Sequence, residues 1–88
     1  MYSKKIKVVN PTGLHARPAS QLTAKANNFH SAITLQRIGE EGEYNVKSII
    51  MLLALGLAQG EEAMLSAQGD DEVEAVDTLA EFIEALEE

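Results

Sequence analysis

From Lys5 to Val9 apolar and polar residues alternate, with Ile6 and Val8 on one face, the two-residue period of a half-buried strand. Asn10-Pro11-Thr12-Gly13 then reads as a turn. Over residues 16–28 the period changes. Ala19, Leu22, Ala26 and Phe29 follow one another at spacings of three, four and three, a single apolar stripe along a helix. Pro18 fits only the first turn, where its missing N–H costs nothing, and it pushes Arg17 away from helical angles, so the helix starts between 16 and 18. Asn27-Asn28 ends it. A second strand runs from Ala32 to Ile38 with Ile33 and Leu35 inward, Gly39-Glu40-Glu41-Gly42 forms a hairpin loop, and Glu43 to Val46 returns as a third strand.

Ser48 stands where an N-cap belongs, ahead of a short apolar helix from Ile49 to Leu55 that Gly56 closes. Ala63 to Ala67 is a fourth strand, and Gly69-Asp70-Asp71 turns into the last helix. Val73, Val76, Leu79/Ala80, Ile83 and Leu86 form its buried stripe, while Glu72, Glu74, Glu81, Glu84 and Glu87 face water. Its acidic first turn suits the helix dipole. The order β-α-β-β-α-β-α predicts an α+β sandwich with helices covering one face of an antiparallel sheet. The helix Ile49-Ile50-Met51-Leu52-Leu53-Ala54-Leu55 is too apolar for a short segment to bury on every side. Leu52 and Leu55 are expected inward, and the remainder forms an exposed apolar patch of the kind that marks a contact surface.

Length and composition narrow the class. The 88 residues make a single domain, 1–88. There is no cysteine, which excludes a disulfide frame and a thiolate metal site. The longest apolar run, Ile49 to Ala58, is broken by Gly56 and falls short of the ~20 residues of a membrane span. The basic start Met1-Tyr2-Ser3-Lys4-Lys5 leads into strand-like alternation rather than a signal segment. A cytoplasmic protein, monomeric by default and without membrane insertion, is expected.

A net charge of −7 argues against nucleic acid as a partner. Its distribution says more. All seven Lys and Arg lie in residues 1–47 with only Glu40, Glu41 and Glu43, a net +4, whereas residues 48–88 hold eleven acids and no Lys or Arg. The basic half carries Gly13-Leu14-His15-Ala16-Arg17-Pro18-Ala19, which sets an imidazole just ahead of a helix start and a guanidinium two residues on. Helix-mouth N–H groups and the positive dipole end form a ready site for a phosphate-like anion. His15 in its neutral form is a nucleophile, and Arg17 with the amides would hold the anion it acquires. His30, at a helix-to-strand junction, is given no chemical role. His15 and His30 lie on different segments with no metal-ligand spacing, so no metal and no cofactor is expected.

The segment Gly13 to Ala19 closely resembles the active-site motif of HPr, the histidine phosphocarrier family of the bacterial phosphoenolpyruvate–sugar phosphotransferase system. Lys47-Ser48-Ile49-Ile50, Leu55-Gly56-Leu57, Gln59-Gly60 and Ser66-Ala67-Gln68-Gly69-Asp70-Asp71 resemble it too, so that the likeness covers nearly the whole chain. It implies an open-faced β-sandwich, a four-stranded antiparallel sheet with three helices on one face. It further implies a carrier rather than an independent enzyme. His15 would accept a phosphoryl group through Nδ1 from enzyme I and pass it to enzyme IIA for sugar uptake, with Arg17 and the Ala16 and Arg17 amides holding it.

By the same resemblance Ile49, Ile50 and Leu53 form an apolar docking patch, with Arg17, Lys25 and Lys47 as a basic rim and Ser20 and Gln21 beside them. Ser48 matches the serine that HPr kinase/phosphorylase modifies in some relatives, giving a corepressor in catabolite control that works with a repressor. The added charge would also slow transfer at His15. Two departures point to an alternative, the nitrogen-related regulatory paralogue NPr. The hairpin around Gly39–Glu43 is about two residues longer than in many sugar-system members, and the residues after Ser48 read Ile-Ile-Met-Leu-Leu. A purely regulatory module is disfavoured, because the regulatory paralogue of that kind lacks the histidine.

Overall fold

The computed structural model describes residues 1–87; Glu88, the last residue of the expected domain, lies outside the described residues. The elements are β1 (Tyr2–Lys7), α1 (Ala16–Ala26), β2 (Ala32–Arg37), β3 (Tyr44–Asn45), α2 (Ile49–Leu55), β4 (Glu62–Gln68) and α3 (Glu72–Glu84). The four strands form one antiparallel sheet in the order β1-β4-β2-β3. One face is covered by the helices and the other is open, which is the open-faced α+β sandwich expected.

Alternation decides which side of each strand is dry. Ile6, Ile33, Leu35, Ala63, Leu65 and Ala67 are buried, and they meet Leu22 and Ala26 from α1, Leu52 and Leu55 from α2, and Val76, Leu79 and Ile83 from α3. Burying each large side chain contributes about 1.5–3 kcal/mol. On the open face the small polar residues pair across strands, as Ser3 does with Ser66, hydroxyl to hydroxyl at 2.8 Å.

Several boundaries differ from the sequence reading. β1 begins at Tyr2 because its register with β4 runs from Tyr2↔Ala67 to Lys7↔Glu62. Tyr2 and Lys4 share the face of Ile6; the Tyr2 ring packs on the edge of the core while its hydroxyl, like the Lys4 ammonium, meets the Asp77 carboxylate of α3, so no regular apolar alternation announces this stretch. β3 is only two residues long, paired as Thr34↔Asn45 and Leu35↔Tyr44, and the acidic, glycine-containing segment beyond it leaves the ladder. α1 ends at Ala26, with Asn27 and Asn28 in a turn and Phe29 packed partly against the core. Val73 is 51% exposed rather than buried. At 100° per residue the buried stripe of α3 spans Ala75 round to Ala80, and Val73 falls just past its margin. Glu72 is half-buried instead of facing water, accepting the Gly69 N–H at 3.1 Å and pairing with the N-terminal ammonium at 3.2 Å.

Candidate functional site

His15 is the N-cap of α1. Its backbone is extended (φ −125°, ψ 166°), its side chain makes no capping hydrogen bond, and it is exposed. A capping side chain would have been committed to the helix amides; this imidazole is not. Ala16 and Arg17 occupy the first positions of the helix, where N–H groups point out of its mouth, while Pro18 supplies none. Ala16 has φ +50° and is the one non-glycine residue with positive φ among the described residues. A left-handed alanine costs about 1–2 kcal/mol, so the backbone turns sharply between the imidazole and the regular helix. Arg17 is exposed in the first turn.

The loop holding His15 is built from both sides. Asn10 Nδ2 donates to the Gly13 carbonyl at 2.9 Å, and the Gly13 N–H returns to the Asn10 carbonyl at 3.2 Å. Leu14 is fully buried, and its N–H donates to the Leu57 carbonyl at 2.9 Å. Gly56 caps α2 in the left-handed region (φ 61°, ψ 45°). A Cβ placed there would lie 3.7 Å from His15 Cε1, so the ring edge rests over this glycine. His15 therefore stands between the positive end of α1 and the carbonyl end of α2.

Ser48 caps α2 as expected: its Oγ accepts the Met51 N–H at 3.3 Å. The segment leading to it is pinned to α1, because Thr23 Oγ1 donates to the Val46 carbonyl at 3.2 Å and Asn27 Nδ2 to the Lys47 carbonyl at 3.3 Å. Beyond Ser48 the α2 surface divides as predicted. Leu52 and Leu55 are buried, whereas Ile49, Ile50, Met51 and Leu53 are exposed, Ile50 by 76%. Ser20 and Gln21 are exposed on α1. The two lysines of the expected rim have other contacts. The Lys47 ammonium donates to the Phe29 carbonyl at 2.7 Å. Lys25 sits in the last turn of α1, ten residues from His15 or about 15 Å along the axis, with its ammonium 5.3 Å from the Phe82 ring centre.

The side chains that brace these loops carry no spacing signal in the sequence: Asn10 bonds within its own turn, Thr23, Asn27 and Arg37 reach carbonyls of distant segments, and Glu61 joins the Ala58 N–H to Arg37. His30 showed no metal-ligand spacing in the sequence. The structure brings Asp70 and Asp71 to it, all three offering ligand atoms within 4.8 Å of one another. Asp71 is already engaged there. It accepts the Ser31 hydroxyl and the N–H groups of His30 and Ser31, and these bonds pull its carboxyl down to about 2.

No described helix is long and apolar enough to cross a membrane. The model of the family described as PTS HPr component phosphorylation site matches residues 2–85. The phosphocarrier protein HPr of Lysinibacillus sphaericus is 43% identical over 83 residues, covering 94% of this chain and 92% of its own. The HPr-like protein Crh of Bacillus subtilis strain 168 is 40% identical over 84 residues and 96% of both chains. The solved structure of HPr-C-His from Thermoanaerobacter tengcongensis superposes with a TM-score of 0.90 at 41% identity, over 97% of this chain and 93% of that one. Sequence likeness and superposition thus run together through every element from β1 to α3, and the chain belongs to the HPr family of phosphotransferase-system phosphocarriers.

Proposed function

We propose that His15 is the phosphoryl acceptor of this carrier. It takes the group from phosphorylated enzyme I and hands it to enzyme IIA domains for sugar uptake in the cytoplasm. The observation that carries this reading is an exposed imidazole at the mouth of an eleven-residue helix whose capping position it fills without spending its side chain on the cap. In the forward step the Nδ1 lone pair attacks phosphorus. The bond from phosphorus to the donor atom breaks, its electron pair leaves with the donor, and the ring proton stays on Nε2. The helix end stabilises the resulting anion by ~0.3–1 kcal/mol, and each charge-assisted hydrogen bond from the Ala16 or Arg17 amide or the guanidinium by ~1.5–3. Terms of this size position the group without trapping it, as a carrier requires. Transfer itself is largely positioning and charge stabilisation, and the partner supplies the water-free surroundings.

Ile49, Ile50 and Leu53 form the docking patch in this reading, with Ser20, Gln21 and Arg17 at its border. In this reading the carrier works as a monomer. Phosphorylation of Ser48 by an HPr kinase/phosphorylase would add charge at the edge of that patch, slow acceptance at His15, and provide a surface for a catabolite-control repressor.

The decisive experiment combines phosphoenolpyruvate, enzyme I and this protein. An acid-labile, base-stable phosphoprotein is expected, and it is absent with His15→Ala. Label that persists in His15→Ala rejects the assignment. Running sugar-type and nitrogen-type enzyme I in parallel separates the sugar pathway from the NPr-like alternative by which donor is used.

A further inference from the structure

Arg37, the last residue of β2, reaches the C-terminal end of α2. Its Nη2 donates to the Leu55 carbonyl at 2.7 Å and lies 3.4 Å from the Gly56 carbonyl. These are carbonyls that a helix leaves without partners, at the negative end of its dipole. Its Nε donates to Glu61 at 3.0 Å, and Nη1 to Glu40 at 3.3 Å. Glu61 in turn accepts the Ala58 N–H at 2.8 Å. The guanidinium and the carboxylate thus grip residues 55–58 at both ends. That stretch is the wall of the His15 site: the imidazole edge rests over Gly56, and the Leu14 N–H hangs from the Leu57 carbonyl.

An exposed ion pair of ordinary kind contributes little. This one differs in two respects. The Arg37 side chain is only 22% exposed, and two of its contacts are main-chain carbonyls rather than a mobile carboxylate. Glu61 is held below the usual carboxylate range, first by the Ala58 N–H and then by Arg37, and Arg37 is held above its ordinary value chiefly by Glu61. The clamp therefore stays charged across the neutral range.

We infer that Arg37 and Glu61 are positioning residues for phosphoryl transfer at His15. They fix the wall behind the ring by tying residues 55–58 to β2. This inference rests on the carrier reading above. Neither residue touches the reacting atoms, and neither belongs to the apolar patch of Ile49, Ile50 and Leu53.

The test uses the full chain and phosphorylated enzyme I, with Arg37→Met, Arg37→Lys and Glu61→Gln, and with Lys5→Met as a control on an exposed pair. Arg37→Met is expected to lower kcat for acceptance roughly three- to tenfold with KM held within about twofold. Arg37→Lys restores part of the loss, and Lys5→Met changes nothing. In the same Arg37→Met protein, NMR is expected to show shifted His15 ring signals and faster exchange of the Leu14 amide. A folded Arg37→Met with unchanged kcat, ring signals and Leu14 exchange overturns the inference while leaving the carrier reading intact. If enzyme I fails to phosphorylate the unmodified protein, the carrier reading falls, and the ring signals and Leu14 exchange still report whether the clamp holds the wall. Should Arg37→Met fail to fold, Glu61→Gln keeps the shape and loses the charge. The same changes in kcat, ring signals and Leu14 exchange are then expected of it, and their absence overturns the inference.

Discussion

The N–H of Leu14 and the carbonyl of Leu57 meet at 2.9 Å, so the residue before His15 is suspended from the residue after the α2 cap. Gly13 makes the approach possible. Its φ is +68°, and a Cβ there would lie 2.3 Å from that same carbonyl oxygen. Gly13→Ala is expected to destabilise the protein by about 1–3 kcal/mol and to broaden or shift the Leu14 amide signal. Urea unfolding and NMR check this; an unaltered midpoint would mean that the two segments part without cost.

Ala16 invites a paired comparison. Its left-handed φ of +50° costs about 1–2 kcal/mol that glycine would not incur. Glycine also raises the entropy of the unfolded chain, which offsets part of the relief. Ala16→Gly should therefore leave stability within about 1 kcal/mol of the parent, whereas Ala24→Gly, at an exposed position inside α1, should lose about 1 kcal/mol. Equal losses at the two sites, measured by thermal unfolding, would contradict the strained backbone.

The divided surface of α2 separates packing from docking. Leu52 is fully buried, so Leu52→Ala should cost about 2–5 kcal/mol. Ile50 is largely exposed, and Ile50→Ser should change stability by no more than about 0.5 kcal/mol. Ile50→Ser is nevertheless expected to raise KM for phosphorylated enzyme I several-fold with kcat retained. An unchanged KM would remove Ile50 from the docking surface.

Ser48 serves its helix whatever else it does. Ser48→Ala removes the acceptor for the Met51 N–H and should cost about 0.5–2 kcal/mol, with acceptance at His15 preserved. Ser48→Asp adds charge beside Ile49 and Ile50 and is expected to slow acceptance. Stopped-flow or quench kinetics equal to the parent would eliminate the blocking effect.

The carboxylate of Asp71 links the α3 start to Ser31 and His30, and the Ser31 hydroxyl is the chief cause of its depressed value of about 2. An aspartate in the unfolded chain titrates near about 3.9. The folded state thus gains stability from this group above that unfolded value and loses it as pH falls through about 2. Asp71→Asn should lower the melting temperature at pH 6, and the gap from the parent should close between about pH 4 and pH 2. A gap independent of pH would assign the effect to shape instead of charge.

Much of the site is local and could be read residue by residue. Ser48 and Gly56 fit the two ends of α2 because an N-cap needs a short side-chain acceptor and a left-handed cap needs no Cβ. Pro18 fixed the start of α1 to within two residues for a similar reason. Boundaries set by pairing were less legible. β1 reaches back to Tyr2 through its register with β4, and its inner face there carries Tyr2 and Lys4, which meet Asp77. Val73 was misplaced because periodicity locates a stripe and not its edges.

The chain's own pattern of residues determined the element order, the apolar faces and the imidazole at a helix mouth, since each depends on neighbours within a few positions. Tertiary structure alone decided what stands behind that imidazole. Gly56, Leu57, Arg37 and Glu61 converge there from segments about 20 to 45 residues apart, and the fold brings them together by packing α1 and α2 on one side of a sheet whose strand order is not their order in sequence. Contacts of that reach are backbone hydrogen bonds and charge pairs without any period, so nothing in the spacing of residues announces them.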